Sequence, residues 1–342
     1  MPNWSKGRAR PAGASTCSAL AAAVLVVIIF TISNISSSFL QSSPSASSAL
    51  RAYLNIPTPV QLQTIILPSV VDPDQRQERL SSIADTWGSE IPTKIITAPP
   101  SLNFDAFDLL IHTYKNLLDS PSPEFTHYLF ANDHTFVIPR NLHHFLTALP
   151  ELFPDPDVPV YLGHRLKHQE KHNILVFNSG AAGYILNRAS LSALLDGFDS
   201  HRCKNPTQKF TRSNPGLAVA ACLKSLGIHA HDFPEPGGVE QRLFNVYPPG
   251  RVVDNSYDDW FYTKCLDELH PDTPFRASIS PRTVTFHYVS AVETRYIYAC
   301  LTSALCAEPD FPRGERNGGL SAYSKPGGEP VLQYLLSQMT YA

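Results

Sequence analysis

Charge is what this chain has least of. Asp, Glu, Lys and Arg make up only 17% of its 342 residues, and the formal net charge is −3. With no basic excess there is little to hold a phosphate backbone, which argues against nucleic-acid binding. Glycine is sparse too, with 17 copies against 30 prolines. The apolar fraction of 43% is that of a globular chain, so the prolines read as connections around a compact domain rather than as disorder. No two cysteines stand at C-x-x-C spacing, which argues against a thiolate zinc site. No G-x-S-x-G elbow is present, although 13 histidines leave a dispersed Ser-His-Asp set open.

The scarcity of charge is extreme near the N-terminus. After Lys6, Arg8 and Arg10, no charged residue occurs from Pro11 to Leu50, and Ala19 to Phe30 is continuously apolar. With its small-residue flanks this stretch approaches the roughly 20 residues a membrane-spanning helix needs. The expected layout is a cytoplasmic tail at 1–13, a signal-anchor at 14–33 and a flexible Ser-rich stem at 34–58, with the basic residues staying inside. A cleaved signal peptide is the alternative. Either way the remainder enters the secretory pathway, where disulfides form. Cys203, Cys222, Cys265, Cys300 and Cys306 then lie on the lumenal side, an odd number that allows at most two bridges with connectivity open.

From residue 59 the pattern alternates. Val60 to Leu67 reads as a strand, and Leu80, Ile83, Ala84 and Trp87 recur at helical spacing up to Gly88. Thr93 to Thr97 is strand-like, Phe104 to Leu118 helical, and an apolar run then climbs to Asn132-Asp133-His134. A helix over Arg140 to Leu149 follows, then strands at Val160–Gly163 and Ile174–Phe177, and a helix from about Arg188. Such alternation predicts an α/β fold, a mostly parallel sheet flanked by helices, whose ligands collect where strands end. The lumenal domain is expected to span 59–308, and the Pro/Gly-rich stretch 309–342 to be a mobile tail.

Four segments carry candidate chemistry. Asn132-Asp133-His134 at a strand end could hold a divalent ion against a pyrophosphate, or could be an ordinary turn with capping hydrogen bonds. His287, in Phe286-His287-Tyr288-Val289, is a second possible ligand or a hydrogen-bonded core residue. Asn178 to Tyr184 has few bulky side chains, so a sugar could approach the backbone, or the segment could be a tight connection. Trp260, Phe261 and Tyr262 could face a sugar ring or fill a core.

Read in order, these segments resemble the Fringe-like β1,3-glycosyltransferases (glycosyltransferase family 31), most closely the core 1 β1,3-galactosyltransferase branch. Arg79 through Thr86-Trp87-Gly88 is similar to the family's R…TWG helix. Ala131-Asn132-Asp133-His134-Thr135-Phe136-Val137 stands where it has A-D-D-D-T-Y-V, and Tyr161-Leu162-Gly163-His164-Arg165 resembles Y-x-G-x-R. Ser179-Gly180-Ala181-Ala182-Gly183-Tyr184 matches S-G-G-A-G-Y, and Phe286-His287-Tyr288-Val289 reproduces F-H-Y-V. The resemblance spans about residues 60 to 305.

It implies a GT-A fold, a UDP-sugar donor, a glycoprotein acceptor, a Golgi membrane location and manganese-assisted inverting transfer, with a homodimer as a possible assembly. It implies His134, His287 and Asp133 as metal ligands and Asn132, Asp133 and Arg79 as donor contacts. Gly180, Ala181, Ala182, Gly183, Tyr184, Trp260 and Tyr262, singled out above for their own chemistry, are the expected acceptor contacts. Two departures stand out. His134 replaces an aspartate, which should weaken a hard ion such as manganese. Where the family has E-D-x-x-x-G-x-C, Pro215 to Cys222 has no acid, which leaves Asp232, or Glu235 or Glu240, to serve as base. Cys203 and Cys222 bracket this region and are the expected disulfide. A catalytically silent relative, acting as a chaperone or sugar-binding partner, is the alternative reading.

Overall fold

Alternation along one strand organises the molecule. In β3 (His127–Asn132), Leu129 and Ala131 face one side while Tyr128 and Phe130 face the other, the period-two consequence of the pleat. All of these are buried, so the strand must be covered on both faces. The structure, a computed structural model, describes residues 60–69, 75–96, 105–119, 125–170, 173–207, 212, 214–232, 243–249, 280 and 282–302. The expected membrane segment, stem, tail, Trp260 and Tyr262 lie outside them. Among the described residues no helix is long and apolar enough to cross a membrane.

The main sheet has five strands in the order β2 (Thr93–Ile95), β1 (Leu62–Leu67), β3, β8 (Tyr184–Asn187), β5 (Tyr161–Gly163). β1 is parallel to β2 and β3, whereas β8 is antiparallel to both β3 and β5. All but β8 therefore run the same way, and the carboxyl ends of β3 and β5 share one edge of the sheet. Beyond β5 the edge is extended by a parallel bridge between Leu162 and His231.

One helical layer comprises α1 (Arg76–Ala84), α3 (Pro139–Leu152) and α6 (Ala291–Thr302). Ile83, Leu142, Phe145, Leu149 and Ile297 pack from it against Leu62, Ile66, Leu129 and Ile185. The other layer comprises α2 (Ala106–Leu118), α4 (Arg188–Asp199) and α5 (Pro215–Ser225), packing Leu110, Tyr114, Leu194, Phe198 and Leu223 against Ile65, Phe130 and Leu186. Each such side chain contributes about 1.5–3 kcal/mol by leaving water. Local signals start the helices where sequence suggests. The Asp105 carboxylate accepts the amides of Phe107 and Asp108 ahead of α2, and Pro139 takes the first turn of α3. Ser290 and Glu293 form a reciprocal capping box at α6. In the Thr86-Trp87-Gly88 turn a side chain on Gly88 would meet the Ile83 carbonyl at 2.7 Å, so glycine is needed for close approach.

Two smaller sheets complete the described part. β6 (Arg165–Glu170) and β7 (Asn173–Asn178) form a hairpin, and β10 (Thr285–Phe286) lies between β4 (Phe136–Val137) and β9 (Phe244–Asn245). β10 brings His287 to the end of β3.

Candidate functional site

Three chain segments meet beyond the carboxyl end of β3. The Asn132 side chain faces His287, with Nδ2 3.1 Å from Nε2. Its Oδ1 accepts the His134 amide at 2.9 Å and the Thr135 hydroxyl at 3.1 Å, so the amide group must turn its N–H towards the imidazole. The rings of His134 and His287 are 6.0 Å apart, and the Val289 amide donates to the His134 carbonyl. Burial, with the nearby His134 imidazole, holds His287 down to about 3, so it is neutral at physiological pH.

The 179–183 loop joins this cluster through backbone carbonyls. The single Thr135 hydroxyl proton is shared between Asn132 Oδ1 and the Ala181 carbonyl, which is 3.2 Å away, and Thr285 donates to the Ala182 carbonyl at 2.5 Å. Gly183 takes φ +87°, and that backbone conformation calls for glycine, although an added Cβ would meet Leu129 and the Phe130 carbonyl only at the ordinary contact distance of 3.4 Å. Gly180 is exposed and Ala181 half-buried, whereas Ala182, Gly183 and Tyr184 are buried. Tyr184 is thus a correction to the expected acceptor surface. Its ring stacks on Phe130 and its hydroxyl lies 2.6 Å from that of Tyr114, inside the core, with the phenol pKa raised by burial.

Asp133 and Arg79 are also withdrawn from the surface. Asp133 is 3% exposed; Oδ2 accepts from Arg79 Nε at 2.8 Å and Oδ1 from the Ser69 amide at 2.7 Å. The pair anchors the end of β3 to α1 and the end of β1. Neither is an open contact for a donor nucleotide.

Asp232 lies beyond the bridge that extends the sheet past β5, 4.0 Å from Arg165 and partly exposed. It is therefore on the same sheet edge as Asn132. With β8 between them, β5 and β3 are about 10 Å apart at the usual strand spacing. Cys203 and Cys222 form the expected disulfide, tying the turn after α4 to α5, and Cys300 is disulfide-bonded as well. A separate hollow of about 420 Å³ between α2 and α4 shares no residue with the cluster, and its Lys115 and Arg212 are paired with Asp199 and Asp108.

No protein-family model matches the chain. Over 164 residues, 47% of this chain and 41% of the relative, it is 28% identical to glycoprotein-N-acetylgalactosamine 3-beta-galactosyltransferase 1 of Xenopus laevis. The chain is a distant homologue of that transferase. The match spans less than half the length of the relative. A solved glycosyltransferase involved in glycosylation of the major capsid of PBCV-1 is 14% identical, with a TM-score of 0.35, over 68% of this chain and 98% of its own. That likeness is too slight to add to the fold described above.

For this transferase homologue the manganese expectation meets a misfit. Among the described residues no group of three or more His, Cys, Asp or Glu is arranged to hold a metal ion. Both Asp133 oxygens are engaged by Arg79 and Ser69, and His287 Nε2 takes the Asn132 amide. What remains is a His-Asn cluster without an available carboxylate, a poor match for a hard, oxygen-seeking ion.

Thr135, Thr285 and Ser69 were not legible as site residues. The two threonines act through hydroxyls on distant backbone carbonyls, and Ser69 through its backbone amide on the Asp133 carboxylate. Thr285, buried in the Thr283-Val284-Thr285 strand, carried the one available signal, a hydroxyl in an apolar run.

Proposed function

We propose that this chain is a Golgi glycosyltransferase, a single-pass type II membrane protein that transfers galactose from UDP-galactose to O-linked N-acetylgalactosamine on glycoproteins. The observation that carries the reading is its sequence relation to a galactosyltransferase of that acceptor class. A GT-A domain is the architecture that fits: strand ends gather on one edge of a mixed sheet, where α/β folds bind nucleotides. Lumenal residence is supported by cysteine usage, since all three cysteines among the described residues are disulfide-bonded.

In this reading the exposed Gly180 and half-buried Ala181 let a sugar approach the backbone, and the Asn132–His287 pair fixes the floor of the site. Inversion needs a base on the acceptor hydroxyl, and Asp232 is the carboxylate on the right edge. Arg165 lies 4.0 Å from it. Manganese is not part of the reading, because Asp133 is withheld from the site.

A second reading is favoured by one specific feature. α5 reads Pro-Gly-Leu-Ala-Val-Ala-Ala-Cys-Leu-Lys-Ser, without the acids the resemblance predicts there. A silent relative acting as a chaperone or sugar-binding partner would look like this. The deciding experiment incubates the detergent-solubilised full chain with UDP-galactose and an O-GalNAc peptide. A galactosylated peptide in the mass spectrum establishes the first reading. Binding of UDP-galactose or glycopeptide without product favours the second, and neither product nor binding defeats both.

A further inference from the structure

Between the end of β10 and the capping box that opens α6, the chain must reverse within a few residues. Val289 is pinned by its amide to the His134 carbonyl, and Ser290 is committed to Glu293. The reversal is absorbed at Tyr288, whose φ is +58°. A bulky residue there is an outlier, because its Cβ crowds the backbone in the left-handed region. Asn or Gly would make the same turn with less strain. Tyrosine also leaves a large side chain in water, since Tyr288 is 56% exposed while His287 and Tyr247 on either side are buried.

The exposed ring is not isolated. Its centroid lies 4.1 Å from that of His287 and 6.0 Å from that of Tyr247, and His287 in turn lies 6.0 Å from His134. The rings form a ladder climbing out of the Asn132–His287 cluster, and Tyr288 is its outermost, solvent-facing rung. Strain at such a position is kept where the side chain it presents has a use. An exposed, backed aromatic face beside polar groups is the surface that takes the apolar face of a pyranose ring.

We propose that Tyr288 is the stacking platform for a hexose ring, of the donor or of the acceptor, at this site. The proposal rests on the glycosyltransferase reading above and gives a role to Tyr288, a residue of the F-H-Y-V segment to which the sequence reading assigned none.

The test uses the detergent-solubilised full chain and its Tyr288→Ala, Tyr288→Phe and Tyr288→Gly variants. Calorimetry with UDP, UDP-galactose and benzyl α-N-acetylgalactosaminide follows a melting curve for each protein. Tyr288→Ala is expected to weaken one of the two sugar ligands about five- to tenfold, the scale of a lost aromatic stack, and to leave UDP alone unchanged. Tyr288→Phe should retain the sugar. Tyr288→Gly should melt higher than wild type yet lose the sugar as the alanine variant does, which separates stacking from structural damage. Unchanged affinity for both sugars in Tyr288→Ala overturns the proposal, as does an equal loss for UDP, which would place uracil on the ring. Wild type that binds UDP but neither sugar also overturns it and leaves nucleotide binding standing. Wild type that binds none of the three defeats the glycosyltransferase reading itself, and the platform with it.

Discussion

Arg79 and Asp133, 54 residues apart, are joined by a 2.8 Å ion pair with almost no solvent contact on either side chain. The pair couples α1 to the end of β3 and consumes the central residue of the Asn132-Asp133-His134 triplet. A charge buried there is tolerated only because its partner and the Ser69 amide satisfy it.

Removing one partner should therefore be costly. Arg79→Ala leaves a buried, uncompensated carboxylate and should destabilise the domain by about 3–5 kcal/mol in urea unfolding. Arg79→Met combined with Asp133→Leu should lose less, because no charge is stranded. Equal losses for the two would show that the pair is not the origin of the effect.

The same geometry predicts indifference to manganese. UDP should bind the full chain with the same affinity in manganese and in chelator. Restoring carboxylates with Asn132→Asp and His134→Asp together should create a manganese dependence that calorimetry can see. A strong manganese requirement in the wild type would mean that Asp133 or His287 is released on binding.

If Asp232 is the base, Asp232→Asn should lower transfer by about 10²- to 10⁴-fold while UDP binding persists. Retained transfer would discard that assignment and point to an acid outside the described residues.

Burial at the start of β3 lowers His127 from 6.5 to about 4. The fold keeps the imidazole neutral while the unfolded chain takes up a proton near pH 6.5. Its contribution is thus intact above 6.5, declines as pH falls through the window to about 4, and levels off below. The slope should approach one proton, about 1.4 kcal/mol per pH unit. Urea midpoints measured across this window should flatten in His127→Gln.

The Cys203–Cys222 bridge closes a short loop, with a separation of 19 residues. Replacing both cysteines by alanine should cost about 2–4 kcal/mol on the usual scale for such loops. Reduction should cost the wild type more than the double variant, in which the bond of Cys300 is the one left to break among the described cysteines.

Much of the architecture was legible because it is local. The alternation in Tyr128 to Ala131, the period of Phe107, Leu110 and Tyr114, and the helix over Arg140 to Leu149 are all read from near neighbours, and each lands in its element. β8 and β6 were not legible. Tyr184–Asn187 is four residues long and sits between a glycine loop and a helix cap, so periodicity has too few residues to register. Arg165–Glu170 carries too much polarity to read as a strand and is held by its hairpin partner β7.

By itself the sequence determined α1 to α4, most strands and the sugar-transferase resemblance, since hydrophobic period and motif order are properties of the chain; α5, α6 and the bond between Cys203 and Cys222, an expectation until then, came from the fold. Only tertiary structure decided which polar residues are open to a ligand. Asp133, Arg79 and Tyr184 look like contacts in the sequence and are buried by partners drawn from far along it. Tyr288 belongs to the F-H-Y-V motif without a role read for it there, and it sits at a positive φ that no residue pattern encodes. Burial and backbone sign arise when distant segments pack, which is why they had to be seen in three dimensions.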